Sequence, residues 1–585
     1  MMALLMIAPL IVAMLLSLWL KRYAHYIGLL GSLSSLAMLP FVGRGVERIV
    51  WFSIGSFSLS ITTSIGAMNM LLLSIVAVVG VLIFAYSVGY IDLPSERRRF
   101  FVEMLAFEAA MLAFAMAGNF ILFFVAWEFL SLTSYLLIGF WYKKESAARA
   151  ARKAITIVLI GDISLIAAIA IMWSVYGTLQ FSTILTVAKP QALVYMAMAL
   201  LIVAIFTKSA QFPFSEWLPD AMEGPVPVSA FLHSSTMVKA GVFAAIVLFP
   251  LFVLYHLLYV LLAFGITTTV LATLNAMRET HVKRVLAYST LNELGIMFTA
   301  IGGGAIIAAV YLFFAQSFYK ALLFFSSGIM MKASKKESIE EISGIAHNKL
   351  IYNTTLFGVL SLAGFFPFAG FFANVAIGAS LYSNILLYAI LGAVSLGTSF
   401  FIFRWLYMPM RNKETDAADI GYDAIPSSMK YSAVLMAALA LVSVLFFKVV
   451  TNAAATTYLP YAGTFSMRLT DMAVETILVA LGAYISYRMY MEAKLAIEWK
   501  KLYKIAQNSA IVNDLYSYAA SAFVLLSDGV NMFDLAVNDT FDKSAAYISA
   551  SSGFLRRSVS GSISLYILAF AIGFVLLAIY AVVFG

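Results

Sequence analysis

Apolar runs of about twenty residues follow one another along almost the whole chain, separated by short segments with charge, glycine or proline. A helix that crosses a bilayer needs roughly 20 apolar residues, and the runs fit about sixteen such helices. The composition of the 585 residues, 63% hydrophobic and 11% charged, agrees with this number. The sequence therefore predicts an all-α, polytopic membrane protein. It excludes a disordered chain, a nucleic-acid-binding protein and a transmembrane β-barrel, whose strands would alternate polar and apolar residues.

The predicted spans extend from the first residues to the last. The first twenty residues lack the basic start and small-residue cleavage site of a signal peptide, so we expect them to form the first span. The predicted helices lie near 2–20, 26–42, 66–90, 100–117, 119–141, 154–175, 192–212, 228–250, 252–276, 282–302, 304–332, 351–376, 380–408, 430–450, 470–490 and 562–584.

Basic residues gather in alternate connecting segments: Lys21 and Arg22; Arg97, Arg98 and Arg99; Lys143 and Lys144; Lys283 and Arg284; Lys335 and Lys336; Arg411 and Lys413. The positive-inside rule places such segments in the cytoplasm, which predicts a multi-pass protein of the cell (plasma) membrane with both termini outside. Arg44, Arg48 and Lys189 run against this alternation. The net charge of +8 then records orientation, not an affinity for acidic partners.

The chain has no cysteine and five scattered histidines. It can therefore hold no disulfide, iron–sulfur cluster or thiolate-bound zinc, and nothing in it suggests a haem site. We expect no cofactor and no metal in this chain. Any redox chemistry would belong to another subunit.

Two predicted spans are interrupted by similar strings, Ser-Ala-Gln-Phe-Pro-Phe at 209–214 and Gly-Phe-Phe-Pro-Phe at 364–368. A proline inside a span frees backbone groups, which is tolerated where they face protein or a wet cavity. Broken helices at matching places in two halves indicate the ion site of a transporter. We expect two inverted repeats, although proline kinks are also common in membrane helices.

The resulting organisation has N-terminal helices (1–99), a first antiporter repeat (100–250), a second repeat (251–410) and additional helices (411–490). Residues 491–560 are long and mixed in polarity, and apolar residues recur there at helical spacing. They predict a lateral amphipathic helix, the alternative being a small cytoplasmic loop domain. Residues 561–585 would form a C-terminal transmembrane anchor.

Several ionisable residues fall inside predicted spans, where a charge costs at least about 2.5–3.5 kcal/mol and so indicates function. Each has a simpler alternative: Lys208 could snorkel to the membrane surface, and a single histidine is usually a hydrogen-bonded structural residue. His233 and Lys239 would share one helix on different faces. The candidate site residues are Glu128, Asp162, Lys208, His233, Lys239 and Lys320, with Glu103 (at the interface), Glu108 and Glu293 as further acids.

Carboxyl and lysine groups inside a membrane suit proton transfer. Desolvation shifts the pKa of a carboxyl group up and that of a lysine down, toward a range in which both exchange protons. A neighbouring charge then switches protonation, because Coulomb coupling is strong at low effective dielectric. The sequence thus predicts a chain of proton-exchanging groups within the bilayer.

Long ordered strings over about 100–375 resemble the proton-pumping antiporter-like subunits of respiratory complex I, and in particular its distal subunit L (mitochondrial subunit 5). The related large membrane subunit of multisubunit Na+/H+ antiporters shares this core, and Lys239 in Met-Val-Lys-Ala-Gly is similar to that branch. The strings are Trp127-Glu128, Ser134 to Trp141, Gly161-Asp162, Lys208 to Gln211, Gly224 to Ala230, His233 to Val238, Lys283 to Thr290 and Lys320 to Phe324.

The resemblance implies that Glu128 and Lys208 form a coupled charge pair, that His233 bridges the half-channels and that Lys320 is a central relay. It also implies partners: the other membrane-arm subunits of an assembly that oxidises a soluble donor and reduces quinone, with protons, the lipid bilayer and no nucleic acid.

The sequence departs from this family at three places. Leu312 and Gln316 stand where the distal subunit usually has two histidines, and Asn374 stands where it usually has a lysine. Leu312 cannot hydrogen-bond a water chain, and a neutral Asn374 cannot take up a proton. Another group, such as Glu293 or His281, could substitute in the second half.

We therefore expect a proton-translocating membrane-arm subunit of a complex I-like NADH (or other donor):quinone oxidoreductase, with no redox centre in this chain. The alternatives are a subunit of a multisubunit cation/proton antiporter, and a structural membrane-arm subunit that does not pump.

Overall fold

The computed structural model describes residues 5–54, 57–411, 421–461, 466–492 and residue 543. The chain divides into two units, Met1–Glu498 and Trp499–Gly585. The fold described below belongs to the first unit. The predicted lateral helix (491–560) and terminal anchor (561–585) lie outside the described residues, apart from residues 491–492 and 543.

The N-terminal region contains four helices and a β-hairpin. Pro94 occupies the first turn of the fourth helix, where its missing N–H costs no hydrogen bond. The elements are α1 (Ala8–Trp19), α2 (Ala24–Met38), β1 (Gly45–Ile54), β2 (Phe57–Ile65), α3 (Ala67–Tyr90) and α4 (Pro94–Ala115).

The hairpin is absent from the predicted elements, because a search for apolar runs does not detect short strands. Strand β2 alternates apolar and hydroxyl residues, the pattern of a strand with two different faces. The strands pair antiparallel from Gly45–Ile65 to Ile54–Phe57, with an irregularity between Val50 and Phe52. Asn119 fixes the hairpin to the helices, since its Nδ2 donates to Ser60 O at 2.6 Å.

The first half continues with helices that surround the first helix break. Asn119 caps α5 by accepting a hydrogen bond from Leu122 N at 3.0 Å, and Gly177 ends α6 with a left-handed conformation. The helices are α5 (Phe120–Ile138), α6 (Glu145–Tyr176), α7 (Phe181–Val187), α8 (Ala192–Lys208), α9 (Trp217–Asp220), α10 (Val226–Ser234), α11 (Met237–Val247) and α12 (Phe249–Leu254).

The second half surrounds α15, whose apolar segment is completely buried. Asn348 caps α16 by accepting a hydrogen bond from Ile351 N at 3.2 Å. The helices are α13 (Leu258–Ala276), α14 (Val282–Gly302), α15 (Ile306–Ser334), α16 (Lys349–Ala363), α17 (Ala369–Leu381), α18 (Ile385–Arg411), α19 (Ser427–Val442), α20 (Phe447–Tyr458) and α21 (Leu469–Tyr490).

Within the described ranges, 11 helical segments are long and apolar enough to cross a membrane, and three shorter apolar helices accompany them. The prediction of an all-α polytopic membrane protein is confirmed. Both predicted helix breaks are confirmed as well: α8 ends at Lys208 and α16 at Ala363, and non-helical chain follows each.

One predicted span was wrong in detail. The span predicted at 228–250 is interrupted between Ser234 and Met237, where Thr236 has a backbone conformation (φ −126°, ψ −111°) outside the helical region. His233 and Lys239 therefore lie on two short helices, α10 and α11, and an angle measured around one helix does not relate them. The sequence has no proline or glycine at this break to mark it.

Candidate functional site

Lys208 is the last residue of α8 and is completely buried. Its Nζ donates to the carbonyl oxygen of Trp127 on α5 at 3.0 Å and contacts Ser131 Oγ one helical turn further along. The ammonium group also lies 4.6 Å from the centre of the Trp127 ring, within cation–π distance. The alternative that Lys208 snorkels to the membrane surface was wrong.

Asp162 on α6 supplies a carboxylate to this lysine, with 3.9 Å between Asp162 Oδ1 and Lys208 Nζ. Asp162 also accepts a hydrogen bond from Trp127 Nε1 at 2.7 Å and one from Ser131 Oγ at 3.0 Å. We call Trp127, Ser131, Asp162 and Lys208 the Lys208 cluster. In it a buried charge pair is surrounded by neutral donors, as buried charges require.

Gly161 permits this arrangement. A Cβ at Gly161 would lie only 1.8 Å from Thr207 Oγ1 on α8, so the two helices approach this closely only with glycine there. Gly161 precedes Asp162 and Thr207 precedes Lys208. The close approach of α6 to α8 therefore places the aspartate beside the lysine.

Glu128 follows Trp127 on α5 and is half-buried. Its Oε1 is buried and has no hydrogen-bond partner among the described residues. Glu128 and Lys208 are close enough for a Coulomb interaction, but the carboxylate within 4.0 Å of Lys208 in the described chain is that of Asp162. The structure thus adds a nearer acid to the pair expected from the family resemblance.

Lys239 on α11 is the second buried lysine, and its surroundings repeat those of Lys208. Its Nζ donates to Phe313 O and to Ser317 Oγ on α15, both at 2.5 Å, and lies 4.6 Å from the Phe313 ring centre. In both cases the ammonium group rests on an aromatic residue and on a serine four residues later. Lys239 differs in having no carboxylate within 4.0 Å in the part of the chain that the structure describes.

The segments that carry the two lysines are joined directly. Ser209, which follows Lys208 at the helix break, donates from its Oγ to the carbonyl oxygen of Val238 at 2.7 Å. Val238 precedes Lys239. One hydrogen bond therefore links the residue after the first lysine with the residue before the second.

His233 ends α10, completely buried, with its ring stacked on Phe324 of α15 at a centroid distance of 5.3 Å. Phe324 is one turn from Lys320 along α15. Neither ring nitrogen of His233 has a partner among the described residues. Buried polar atoms without protein partners are normally satisfied by ordered water. The alternative that protein groups hydrogen-bond this histidine as a structural residue finds no support in the described chain.

Lys320 lies midway along α15 and forms the closest ion pair of the three lysines, with 2.5 Å between its Nζ and Glu293 Oε2 on α14. Its Nζ also donates to Ser289 Oγ at 2.8 Å, and Tyr319 Oη donates to Glu293 Oε1. We call Ser289, Glu293, Tyr319 and Lys320 the Lys320 cluster. Of the two groups named above as substitutes for the second half, Glu293 lies in it.

His281 lies elsewhere, at the start of α14, with its Nε2 3.4 Å from Glu337 Oε2. A hydrogen bond with His281 lowers the pKa of Glu337 to about 2. Both residues line a cavity of about 390 Å³ together with Lys144, Glu223 and Lys283. Lys283, expected in a loop, is buried in the first turn of α14, where its Nζ donates to Gly224 O at 2.8 Å.

Sequence reasoning missed Ser131, Ser289, Ser317 and Tyr319, because serine and tyrosine are common in membrane helices. The spacing of Ser131 after Trp127, repeated by Ser317 after Phe313, was the available signal. Of the residues at which the sequence departs from the family, Leu312 and Gln316 are buried on α15, and the side-chain amide of Gln316 has no partner among the described residues. The described residues contain no group of three or more His, Cys, Asp or Glu placed to hold a metal ion.

Two family models match the chain. The one described as "NADH:quinone oxidoreductase/Mrp antiporter, TM" matches residues 117–402, which include both clusters. The one described as "NADH-Ubiquinone oxidoreductase (complex I), chain 5 N-terminus" matches residues 51–101.

Individual relatives agree with these models. NADH-quinone oxidoreductase subunit L of Mycobacterium tuberculosis is 30% identical over 95% of this chain and 93% of its own length. The chloroplastic NAD(P)H-quinone oxidoreductase subunit 5 of Ipomoea purpurea is 33% identical over 68% of this chain, and the match spans only 60% of that relative. The fold is similar to a chain in the structure of the Mrp complex from Dietzia sp. DQ12-45-1b, with a TM-score of 0.75 at 23% identity over 99% of this chain and 62% of that one.

Proposed function

Because this chain belongs to the family of antiporter-like membrane subunits that includes NADH-quinone oxidoreductase subunit L, we propose that it moves protons across the membrane as one subunit of a complex I-like assembly. Electron transfer from NADH or another donor to quinone would take place on other subunits and drive this movement. As parts of the proposal we retain two repeats (100–250 and 251–410), a location in the plasma membrane and termini outside.

One observation carries the proposal: three completely buried lysines, Lys208, Lys239 and Lys320, follow one another through the apolar interior, two of them beside carboxylates. Charges at such positions are expensive and are normally retained for function. A structural role alone would not require three ammonium groups, since apolar side chains fill a core at lower cost.

In the proposed sequence Lys208 takes up a proton from the cytoplasmic side. The proton passes to Lys239 and, with water at the unpartnered nitrogens of His233, to Lys320. Asp162 and Glu128 hold the positive charge of Lys208, and a change in their interaction with it would time the release. Each step moves a proton between a nitrogen and an oxygen or between two nitrogens, and no electron is transferred within this chain.

The test is replacement of Glu128 by Gln in the assembled complex in membrane vesicles. Redox-driven proton uptake should be abolished or sharply reduced, because the neutral amide no longer acts on the charge of Lys208. Glu145→Gln is the matched control, since the Glu145 side chain at the start of α6 is 82% exposed. Undiminished uptake in a stable Glu128→Gln complex would contradict the mechanism.

A cation/proton antiporter without a redox partner is the second candidate, favoured by a family model whose description also names the Mrp antiporter. Purification in native detergent separates the two. Co-purification with iron–sulfur and quinone-binding subunits supports the first proposal, and Na+-dependent proton exchange without them supports the second. A structural subunit that does not pump would leave the number of protons moved per electron unchanged in Lys208→Ala.

A further inference from the structure

Glu475 on α21 is a buried acid outside both clusters, with a side chain that is 8% exposed. Its Oε1 accepts hydrogen bonds from Asn374 Nδ2 on α17 at 2.8 Å and from Ser395 Oγ on α18 at 2.7 Å. Both donors are neutral, and the described chain places no Lys, Arg or His nitrogen within 4.0 Å of it. A buried carboxyl group with neutral partners exchanges between its ionised and protonated forms more readily than one locked in an ion pair.

The fold holds Glu475 against the second helix break. Gly364 ends α16 in a left-handed conformation (φ +77°), and a Cβ there would lie 3.1 Å from Glu475 Oε1 and 2.8 Å from Asn374 Nδ2. Helix α21 is fixed to α18 by a hydrogen bond of 2.6 Å from Ser399 Oγ to Val479 O. The acid therefore occupies, in the second half, a place beside the break, much as Lys208 does at the first.

One cavity connects this acid with the Lys320 cluster. Glu293, Tyr319, Asn292, Asn374 and Glu475 all line it, and its water-accessible volume is about 50 Å³. A water molecule needs roughly 10–15 Å³ of such space and two to four polar partners, both of which are present. Glu293 is also the residue that contacts Lys320 at 2.5 Å. A hydrated passage from Lys320 to Glu475 thus needs no rearrangement of the helices.

Other titratable groups face the same space. Asp471, one turn before Glu475 on α21, is 4% exposed and accepts a hydrogen bond from Tyr388 Oη at 3.3 Å. Two carboxyl groups in one cavity disfavour the state in which both are ionised. Asp471 also accepts from the backbone N–H of Arg468 at 3.3 Å, which caps α21, so Glu475 is the acid whose remaining oxygen is available to the passage.

We propose that Glu475 is the terminal proton acceptor of the second half, reached from Lys320 through Glu293 and cavity water, while the neutral Asn374 holds its carboxyl group in place. An N–H bond of Lys320 breaks as an O–H bond forms on Glu293, and that O–H bond breaks as one forms on Glu475. No electron or co-reactant is required. This inference rests on the function proposed above.

The experiment measures redox-driven proton uptake by the whole complex in proteoliposomes with Glu475→Gln, Glu475→Asp and Asp471→Asn. Removal of a positioned proton-transfer group typically costs about 10²-fold or more, so we expect a loss of this size in Glu475→Gln. Glu475→Asp retains a carboxyl group and should recover part of the uptake. Full uptake in Glu475→Gln, with or without a loss in Asp471→Asn, overturns the inference.

Lys208→Met, measured alongside, separates the two levels of the argument. If Lys208→Met abolishes uptake while Glu475→Gln does not, the inference fails and the proposed function stands. If neither variant changes uptake, both fail. Should Glu475→Gln not assemble, infrared difference spectra decide: the band of the protonated carboxyl group that appears during turnover should shift in Glu475→Asp, and an unshifted band overturns the inference.

Discussion

The Lys208 cluster and the Lys320 cluster solve the same problem in different ways. Lys208 lies 3.9 Å from its carboxylate and is also held by the Trp127 carbonyl and by Ser131. Lys320 contacts its carboxylate at 2.5 Å. Asp162 has two neutral donors of its own, whereas Glu293 has Tyr319 and the lysine.

This difference separates stability from ease of transfer. A direct buried ion pair must break before its proton moves on, and each charge is left unpaired when the other is removed. In the Lys208 cluster neutral dipoles stabilise each charge separately, so that either can change its protonation state while the other keeps partners. We infer that the first cluster is built for loading and the second for holding a proton until Glu293 releases it.

The largest effect is expected for Lys320→Met. It leaves Glu293 buried without its cation, which costs about 3–5 kcal/mol for a broken buried pair. Lys208→Met leaves Asp162 with hydrogen bonds from Trp127 and Ser131 and should cost about 1–3 kcal/mol. Denaturant unfolding of the purified complex measures both.

The double variant Lys320→Met with Glu293→Leu serves as the control for this pair. It should regain most of the lost unfolding free energy, because no buried charge remains, without regaining proton uptake. Equal losses in Lys320→Met and Lys208→Met would remove the distinction between the clusters.

Gly161→Ala tests the close approach that brings Asp162 to Lys208. The new methyl group would meet Thr207 Oγ1, and overpacking of this kind costs about 1–3 kcal/mol. Because α6 and α8 must separate, proton uptake should fall together with stability. Gly43→Ala is the matched control, since a Cβ at Gly43 meets nothing within 4 Å. An unchanged rate of uptake in Gly161→Ala would show that the spacing of Asp162 and Lys208 is not critical.

A pair of serine variants compares Lys208 with Lys239. Ser131→Ala removes a contact with both Lys208 and Asp162, and the loss of a hydrogen bond to a charged group costs about 1.5–3 kcal/mol. Ser317→Ala removes a contact with Lys239 alone and should cost less in both unfolding free energy and proton uptake. The reverse order would indicate that Lys239 is the more tightly held lysine.

The sequence was sufficient for the spans, both proline-containing breaks and the buried lysines, because apolar length and isolated charge leave direct traces in a sequence. It did not predict the hairpin, or the break at Thr236, where no proline or glycine stands. Pairing between distant helices was equally out of reach. That Asp162 is nearer than Glu128 to Lys208, and that Glu475 reaches Asn374, depends on how helices pack, and one sequence does not contain that packing.

The smallest effect is expected for a charge pair outside the membrane, Lys144 with Glu223, whose Nζ and Oε2 lie 2.8 Å apart. Burial raises the pKa of Glu223, but hydrogen bonds from Lys144 and Ser146 outweigh it and leave that pKa below its ordinary value. The hydrogen bond with Glu223 raises the pKa of Lys144 above its ordinary value. The Lys144 side chain is 55% exposed, so solvent screens the pair and it is worth less than about 1 kcal/mol.

The sign of the pH dependence follows from these two shifts. Because the pKa of Glu223 is lowered on folding, its contribution is present above the unfolded value of about 4.3 and is lost as the pH falls below it; the contribution of Lys144 is lost only above about pH 10. Lys144→Met should therefore lower the unfolding midpoint slightly at pH 7 and not at acid pH or in high salt. A difference that persists in acid, or that approaches the loss in Lys320→Met, would mean that this pair is as well shielded from water as the pairs within the membrane.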